Sequence, residues 1–412
     1  MKLAWVKAGR LLPVDTGGKL RSFSLLQQLR PRHDLTILTY YDGVCDASYE
    51  RDMAHHFPGS VSIAMGAGTD SAIGSALRYT RALASSAPYS VEKWTHSAVR
   101  RRVNQWMRAR SYDVVVCDFL APTNNFPTRL EIPTVLFQHN VETELWRRQA
   151  EVERQLLRRA AFRLEAQKMA RYERATIARF HHVIAVSEHD RAIMAQLIDA
   201  RHITVVPTGV DVARLHAAAN TEPRTPLVMY LGSMDWEANV DGVEWFAREM
   251  WPRVRAAIPD AQFRIVGRNP VARVRDLVSD SITVTGSVPS VVEHLAEAAV
   301  VVVPLRIGGG TRLKIFEAMG AGRAVVATPI GAEGLDVRHN ENILLHDDAA
   351  DFADAVISIL REESQRRRLA ANARTLAARY DWSNVVAEFE RGLARGIAAG
   401  KEAARSHIHP NE

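Results

Sequence analysis

Short runs rich in Val, Ile and Leu alternate with longer stretches of helical period almost from end to end of the chain. That alternation predicts βαβ units and parallel sheets, hence an α/β fold. In the first half the pattern predicts strands at Leu3–Lys7, Asp34–Tyr40, Ser60–Met65, Asp113–Asp118, Pro133–Gln138, His182–Ser187 and Ile203–Pro207. Helices fill the intervals, the longest an Arg-rich segment from Thr143 to Arg179. The second half repeats the scheme, with strands at Leu227–Gly232, Gln262–Gly267, Ile282–Thr285, Val300–Pro304, Ala324–Ala327 and Ile343–Leu345. Two doubly wound domains follow, residues 1–207 and 226–380. Periodicity stops between them, where polar, Ala and Pro residues collect and read as a linker over 208–225. A terminal helix occupies 381–412, with Ser383 placed to cap it.

A length of 412 residues suits two such domains, and the 47% apolar and 24% charged content is that of an ordinary globular protein. The net charge of +6 is unevenly spread: residues 1–205 hold 29 Lys and Arg against 20 Asp and Glu, while the remainder leans acidic. A basic half can serve nucleic acid, an anionic membrane or an anionic substrate. No zinc-finger, helix-turn-helix or RNA-binding signature supports the first. Only two cysteines occur, Cys45 and Cys117, without metal spacing, which points to a reducing, cytoplasmic setting. No stretch reaches 18 apolar residues and the N-terminus lacks a signal-peptide core, so neither a membrane span nor export is expected.

The richest stretch for chemistry is Val300–Gly334. An apolar strand runs into Gly308, Gly309 and Gly310, and Thr311 opens a helix carrying Arg312, Lys314 and Glu317. Glycines let backbone N–H groups turn inward, and a helix N-terminus adds about half a positive charge. Arg312 and Lys314 add full charges in a first turn that disfavours cations unless an anion sits with them. A ligand with a diphosphate is the expected guest. Ligands of open α/β sheets bind beyond the carboxyl ends of strands, where Gly17-Gly18, His139-Asn140, Gly267-Arg268 and Gly286-Ser287-Val288 also fall. No Asp-x-Asp follows a strand in a metal-binding position, so no metal is expected.

The segments VVPTGVDVARL, VMYLGSMDWEANVDGVEWF, FRIVGRNP, VTGSVPSV, the glycine loop with its helix, and YDWSNVVAEFERGL resemble the donor-binding half of a GT-B glycosyltransferase of retaining family 4. VDTGGKLRSFSLLQQL and VLFQHNVETELWRR are similar to the acceptor-side half of a bacterial polysaccharide-type subgroup. The resemblance implies two Rossmann-like domains facing across a cleft, with the last helix returning to the first domain. It implies transfer of a sugar from a UDP- or GDP-linked donor to a saccharide, a lipid-linked saccharide or a small molecule; a monomer or weak dimer is the default expectation. On this reading Glu317 grips the nucleotide ribose, Gly17 and Gly18 approach the diphosphate, His139 reaches the transferred sugar, and main chain near Val288 meets the base. Gly232, Gly267, Gly308, Gly309, Gly310 and Thr311 would line the donor site.

Two departures stand out. The first of the family's paired glutamates falls at Gly309, and its usual Arg and Lys fall at Ser233 and Ala238. Arg312 and Lys314 are then the cations expected to neutralise the leaving diphosphate. A non-catalytic nucleotide-sugar-binding protein is the alternative that these losses suggest. Residues 89–110 combine Trp94 and Trp106 with five arginines, a pattern that fits either peripheral contact with an anionic membrane or a solvated helix packing its tryptophans inward.

Overall fold

The computed structural model describes residues 1–66, 85, 87–153, 155–223, 225–307 and 313–406. The chain forms two compact units, one of Met1–Pro207 with Val385–Glu412, the other of Thr208–Asn384.

Unit 1 holds a parallel sheet of seven strands: β1 Lys2–Ala8, β2 Asp34–Tyr41, β3 Val61–Ala64, β4 Val114–Asp118, β5 Thr134–Phe137, β6 His182–Ala185 and β7 Ile203–Val205. Their order is β3-β2-β1-β4-β5-β6-β7. Side chains alternate across β1, as a strand requires. Trp5 and Lys7 face the helix Gly17–Leu29 and the last helix, Trp382–Ser406, through Ser22 and Phe389. Ala4 and Val6 face the opposite layer with Val91, Val103 and Trp106. The last helix lies close on the sheet because glycines recur every fourth residue on it. A Cβ at Gly392, Gly396 or Gly400 would stand 2.9 Å from Ile184, 2.5 Å from Val135 or 2.8 Å from Pro133.

Unit 2 holds a six-stranded parallel sheet: β8 Leu227–Leu231, β9 Gln262–Val266, β10 Ile282–Val284, β11 Val300–Val303, β12 Ala324–Ala327 and β13 Leu344–Leu345, in the order β10-β9-β8-β11-β12-β13. Val300, Val301, Val302 and Val303 are all fully buried, as a strand covered by helices on both faces demands.

Every expected strand is present, most of them a residue or two shorter, and the departures concern helices. The segment Thr143–Arg179 is two helices, Glu142–Val152 and Leu156–Arg179. The chain reverses between them so that Trp146 packs on Phe162 and Glu173 reaches back to the first helix's N-terminus. Part of the expected linker is a helix, Val212–Ala219, capped by Asp211 and buried through Leu215 and Ala218. Asp381, not Ser383, caps the last helix, its Oδ1 accepting from the Ser383 amide and hydroxyl. In residues 89–110, Trp106 is buried and Trp94 packs on the unit 1 core. The tryptophans face inward, which removes the anchoring half of the membrane expectation. No helix among the described residues is long and apolar enough to cross a membrane.

One buried arginine binds three helix ends in unit 2. Arg323 donates to the carbonyls of Ala321, Ala298, Ala218 and Thr221 at 2.6–3.2 Å. Burial lowers its pKa to about 10, still well above neutrality. Arg323→Met should destabilise unit 2 by about 3 kcal/mol or more, because it strands several buried carbonyls. Urea unfolding followed by tryptophan fluorescence reads this; a loss under about 1 kcal/mol would show that water replaces the guanidinium.

Candidate functional site

A doubly wound sheet offers its binding crevice where strand order reverses, beyond the carboxyl ends of the central pair. That place lies between β1 and β4 in unit 1 and between β8 and β11 in unit 2.

In unit 1 the reversal centres on Asp118, the last residue of β4 and fully buried. Lys7 stands opposite it in register on β1. Asp118 Oδ2 accepts from Lys7 Nζ at 3.0 Å, Trp5 Nε1 at 3.0 Å and Ser22 Oγ at 2.7 Å. Its Oδ1 lies 2.8 Å from His139 Nε2, just beyond β5. Burial alone would raise the Asp118 pKa, but Lys7 and His139 override it and hold the carboxylate well below its usual range. His139 is pushed down to about 3 by burial, against the pull of Asp118. The ring is therefore neutral near pH 7, with Nε2 carrying the proton and Nδ1 a buried acceptor without a partner among the described residues. Phe119 stacks on the imidazole at 3.6 Å. Its own backbone is left-handed, with φ 74°.

On the other face of the sheet a cavity of about 280 Å³ opens at the ends of β1 and β4, walled by Ala8, Trp94, Phe119, Leu120 and Met169. Glu142 is its acid, raised to about 7 by burial and by the nearby Glu173 carboxylate. Glu173 accepts from the Glu142 and Thr143 amides and from Gln138, and so fixes the start of that helix.

In unit 2 the reversal centres on the turn after β8, Gly232-Ser233. Lys314, on the helix Leu313–Gly320, donates at 2.8 Å to Tyr230 Oη and at 2.8 Å to Asn239 Oδ1. A Cβ at Gly232 would stand 2.9 Å from the Lys314 ammonium, so glycine keeps that approach open. Buried Asn239 also donates to the Ser233 carbonyl at 2.8 Å. Glu317, one turn beyond Lys314, accepts from Arg214 at 3.1 Å. Burial raises the Glu317 pKa, opposed by Arg214 and Lys314.

The structure thus gathers Gly232, Lys314 and Glu317 at one place. A Cβ at Gly267 would fall 1.6 Å from the Gly232 carbonyl, so Gly267 lets two strand ends touch. Val288 sits on the loop after β10, half-buried against the unit 2 core. Gly17 and Gly18 form the first turn of a helix capped by Thr16, rather than a loop before one. His139, expected to face a ligand, is buried, and its Nε2 is bonded to Asp118 Oδ1. Gly308, Gly309, Gly310, Thr311 and Arg312 lie outside the described residues. Among the described residues no group of three His, Cys, Asp or Glu is placed to hold a metal ion. Sequence reasoning missed Lys7, Tyr230 and Arg214; the one available signal was a cation inside the apolar run of β1.

The neutral His139 carries a pH signature. Its pKa is lower in the fold than the ordinary value of 6.5, so its contribution is intact above 6.5 and is lost as pH falls toward 3. Urea midpoints should decline from pH 7 to pH 4 in the native chain, and His139→Gln should flatten part of that decline. An unchanged slope would mean that the ring protonates in place.

Comparisons with known proteins agree with this architecture. A glycosyltransferase family 4 model matches residues 23–214, and a glycosyl transferases group 1 model matches residues 225–362, so together they span most of the chain. The phosphatidyl-myo-inositol mannosyltransferase of Mycolicibacterium smegmatis is 30% identical over 229 residues, 53% of this chain and 58% of that protein. The match therefore spans less than two thirds of that relative's length. Sucrose-phosphate synthase from Thermosynechococcus elongatus superposes with a TM-score of 0.71 at 18% identity, over 97% of this chain and 100% of that one. Anabaena HepE in complex with UDP gives a TM-score of 0.65 at 15% identity, over 96% and 100%. With a glycosyltransferase model on each half and the fold shared along the whole length, the chain belongs to the family 4 glycosyltransferases of GT-B fold.

Proposed function

We propose that the protein transfers a sugar, with retention at the anomeric carbon and without a metal ion, from a UDP- or GDP-linked donor to a hydroxyl of an acceptor. The acceptor is a saccharide, a lipid-linked saccharide or a small molecule. The observation that carries this reading is the Lys314 ammonium, fixed by Tyr230 and Asn239 beside the side-chain-free Gly232 at the unit 2 strand reversal. A fixed cation there meets the charge that grows on a departing diphosphate. The bond from anomeric carbon to diphosphate oxygen breaks with its electron pair going to the diphosphate. The acceptor oxygen bonds on the same face, and its proton passes to the leaving phosphate. No enzymic nucleophile is needed; orientation and charge do the work. Glu317, held by Arg214, is suited to accept hydrogen bonds from ribose hydroxyls.

HepE is described in complex with UDP, and the mycobacterial relative is named for phosphatidyl-myo-inositol; both lend support to a nucleotide donor and a lipid-linked acceptor here. The unit 1 cavity is a fitting acceptor subsite, with Trp94 and Phe119 as apolar walls and Glu142 able to bond a hydroxyl in either protonation state. Contact with an anionic membrane from the cytoplasmic side would rest on the exposed arginines of Ser97–Ala109, such as Arg101 and Arg108, and be electrostatic alone.

A thermal-shift screen with UDP, GDP, dTDP, ADP and their sugar conjugates, with and without EDTA, tests the donor. One nucleotide family at about a hundred times its Kd should raise the melting temperature by roughly 5 °C. The shift should survive EDTA and vanish in Glu317→Ala; no shift with any of them would sink the reading. Lys314→Ala should lower turnover by about 100-fold or more with an unchanged melting temperature. Near-native turnover would remove Lys314 from the mechanism.

A further inference from the structure

Among the described residues nine large apolar side chains are exposed, and three of them, Leu156, Leu157 and Leu164, stand on one short stretch of helix. Leu157 at 88% and Leu156 at 76% are the most exposed of the nine. Scattered exposed leucines need no explanation, whereas a cluster marks a contact surface. The cluster opens the helix Leu156–Arg179, whose buried side chains begin only at Glu165. Its first turns therefore project past the packed body of unit 1. Leu157, Ala160, Ala161 and Leu164 recur at three- and four-residue spacing and form one stripe. Phe162, on the opposite side, packs on Trp146, which turns the stripe outward.

Exposed Arg158 and Arg163 flank the stripe, one on each side. Residues 147–163 hold six arginines against two glutamates, a net +4. Arg147 meets Glu144 and Arg158 meets Glu153, but surface pairs of this kind contribute little and leave the arginines able to turn to another anion. A second copy of the chain would bring the same positive charge, and three leucines fall well short of the roughly 800 Å² that each side of a stable protein interface covers. A bilayer with anionic headgroups matches both the leucines and the arginines.

We propose that the start of Leu156–Arg179 is a membrane-docking arm, which lays Leu156, Leu157 and Leu164 among the acyl chains of an anionic leaflet while Arg158 and Arg163 reach its headgroups. This deepens the membrane contact named above for Ser97–Ala109. The two helices belong to one layer of unit 1, because Val103 and Trp106 of one and Met169 and Ile177 of the other share a core. One side of the unit thus carries the charged half of the contact on one helix and the apolar half on the other. Met169 also walls the unit 1 cavity, so docking at Leu157 holds that cavity about 18 Å away along the helix, near an acceptor anchored in the leaflet.

Co-sedimentation of the full chain with phosphatidylcholine vesicles, with and without phosphatidylglycerol, tests the arm. No nucleotide is present, so failure here leaves the transferase reading standing. The native chain should bind the anionic vesicles more tightly than the neutral ones. Leu156→Ser, Leu157→Ser and Leu164→Ser together should weaken that binding by about 10-fold or more. Their melting temperature should not change, because all three positions are exposed. Arg158→Ser with Arg163→Ser should weaken binding too and reduce its sensitivity to salt. Equal binding by the leucine variant would overturn the proposal, as would a native chain that binds neither vesicle. Loss confined to Arg101→Ser with Arg108→Ser would leave only the electrostatic contact of Ser97–Ala109 and overturn the arm. A native dimer that the leucine substitutions turn into a monomer, read by light scattering, would assign the leucines to a second copy and overturn it as well.

Discussion

A parallel sheet wound in both directions from one central pair leaves a gap beyond the carboxyl ends of that pair, because the connections leave toward opposite faces. This chain contains the gap twice, and fills it in opposite ways. Between β1 and β4 the first unit places a carboxylate and surrounds it with Lys7, Trp5, Ser22 and His139 until Asp118 has no exposed surface. Between β8 and β11 the second unit places a glycine and half-buried cations held at its edge. One gap is closed by internal neutralisation, and the other has two half-buried cations hydrogen-bonded around its turn.

The closed gap has to be closed completely. A lone buried carboxylate would cost several kcal/mol, and a single ion pair often fails to offset that desolvation. Asp118 accepts from three donors on one oxygen and meets His139 on the other, so both oxygens are hydrogen-bonded. The network also fixes the neighbours. The left-handed backbone of Phe119 costs on the order of 1–3 kcal/mol. Its ring is held between the imidazole at 3.6 Å and the Lys7 ammonium at 4.6 Å. The strained residue thus forms the wall between the polar cluster and the cavity on the other face of the sheet.

The strands were legible because each is buried on both faces and so reads as an uninterrupted β-branched run, as Val300–Val303 does. The break between Val152 and Leu156 was not, since Arg and Glu continue across it and only the packing of Trp146 on Phe162 fixes the reversal. The helix Val212–Ala219 was hidden by small residues whose burial depends on a neighbour about a hundred positions away, Gly320 against Leu215. Within the site, Lys314 and Glu317 were legible from one helical turn. The Lys7–Asp118 pair was not, because strand register over 111 positions is a property of the sheet. His139 shows the converse. Its position after a strand was legible, and its burial and its bond to Asp118 were not.

Charge at a site is set by where side chains end, and motif positions record only where they begin. Ser233 and Ala238 carry no charge where the resemblance implies two cations, and read along the chain this looks like loss. In space, the Arg268 guanidinium is hydrogen-bonded to Ser233, and the Lys314 ammonium is hydrogen-bonded to Asn239, the residue after Ala238. Both arrive from elements that follow other strands, a reach that the long flexible stems of Arg and Lys allow. The close contact of Gly267 with Gly232 is what permits it, because only strand ends that touch bring residue 268 to residue 233. A side chain at Gly267 would therefore separate the strand ends and move the charge at the same time, which couples the local packing of the sheet to the electrostatics of the site.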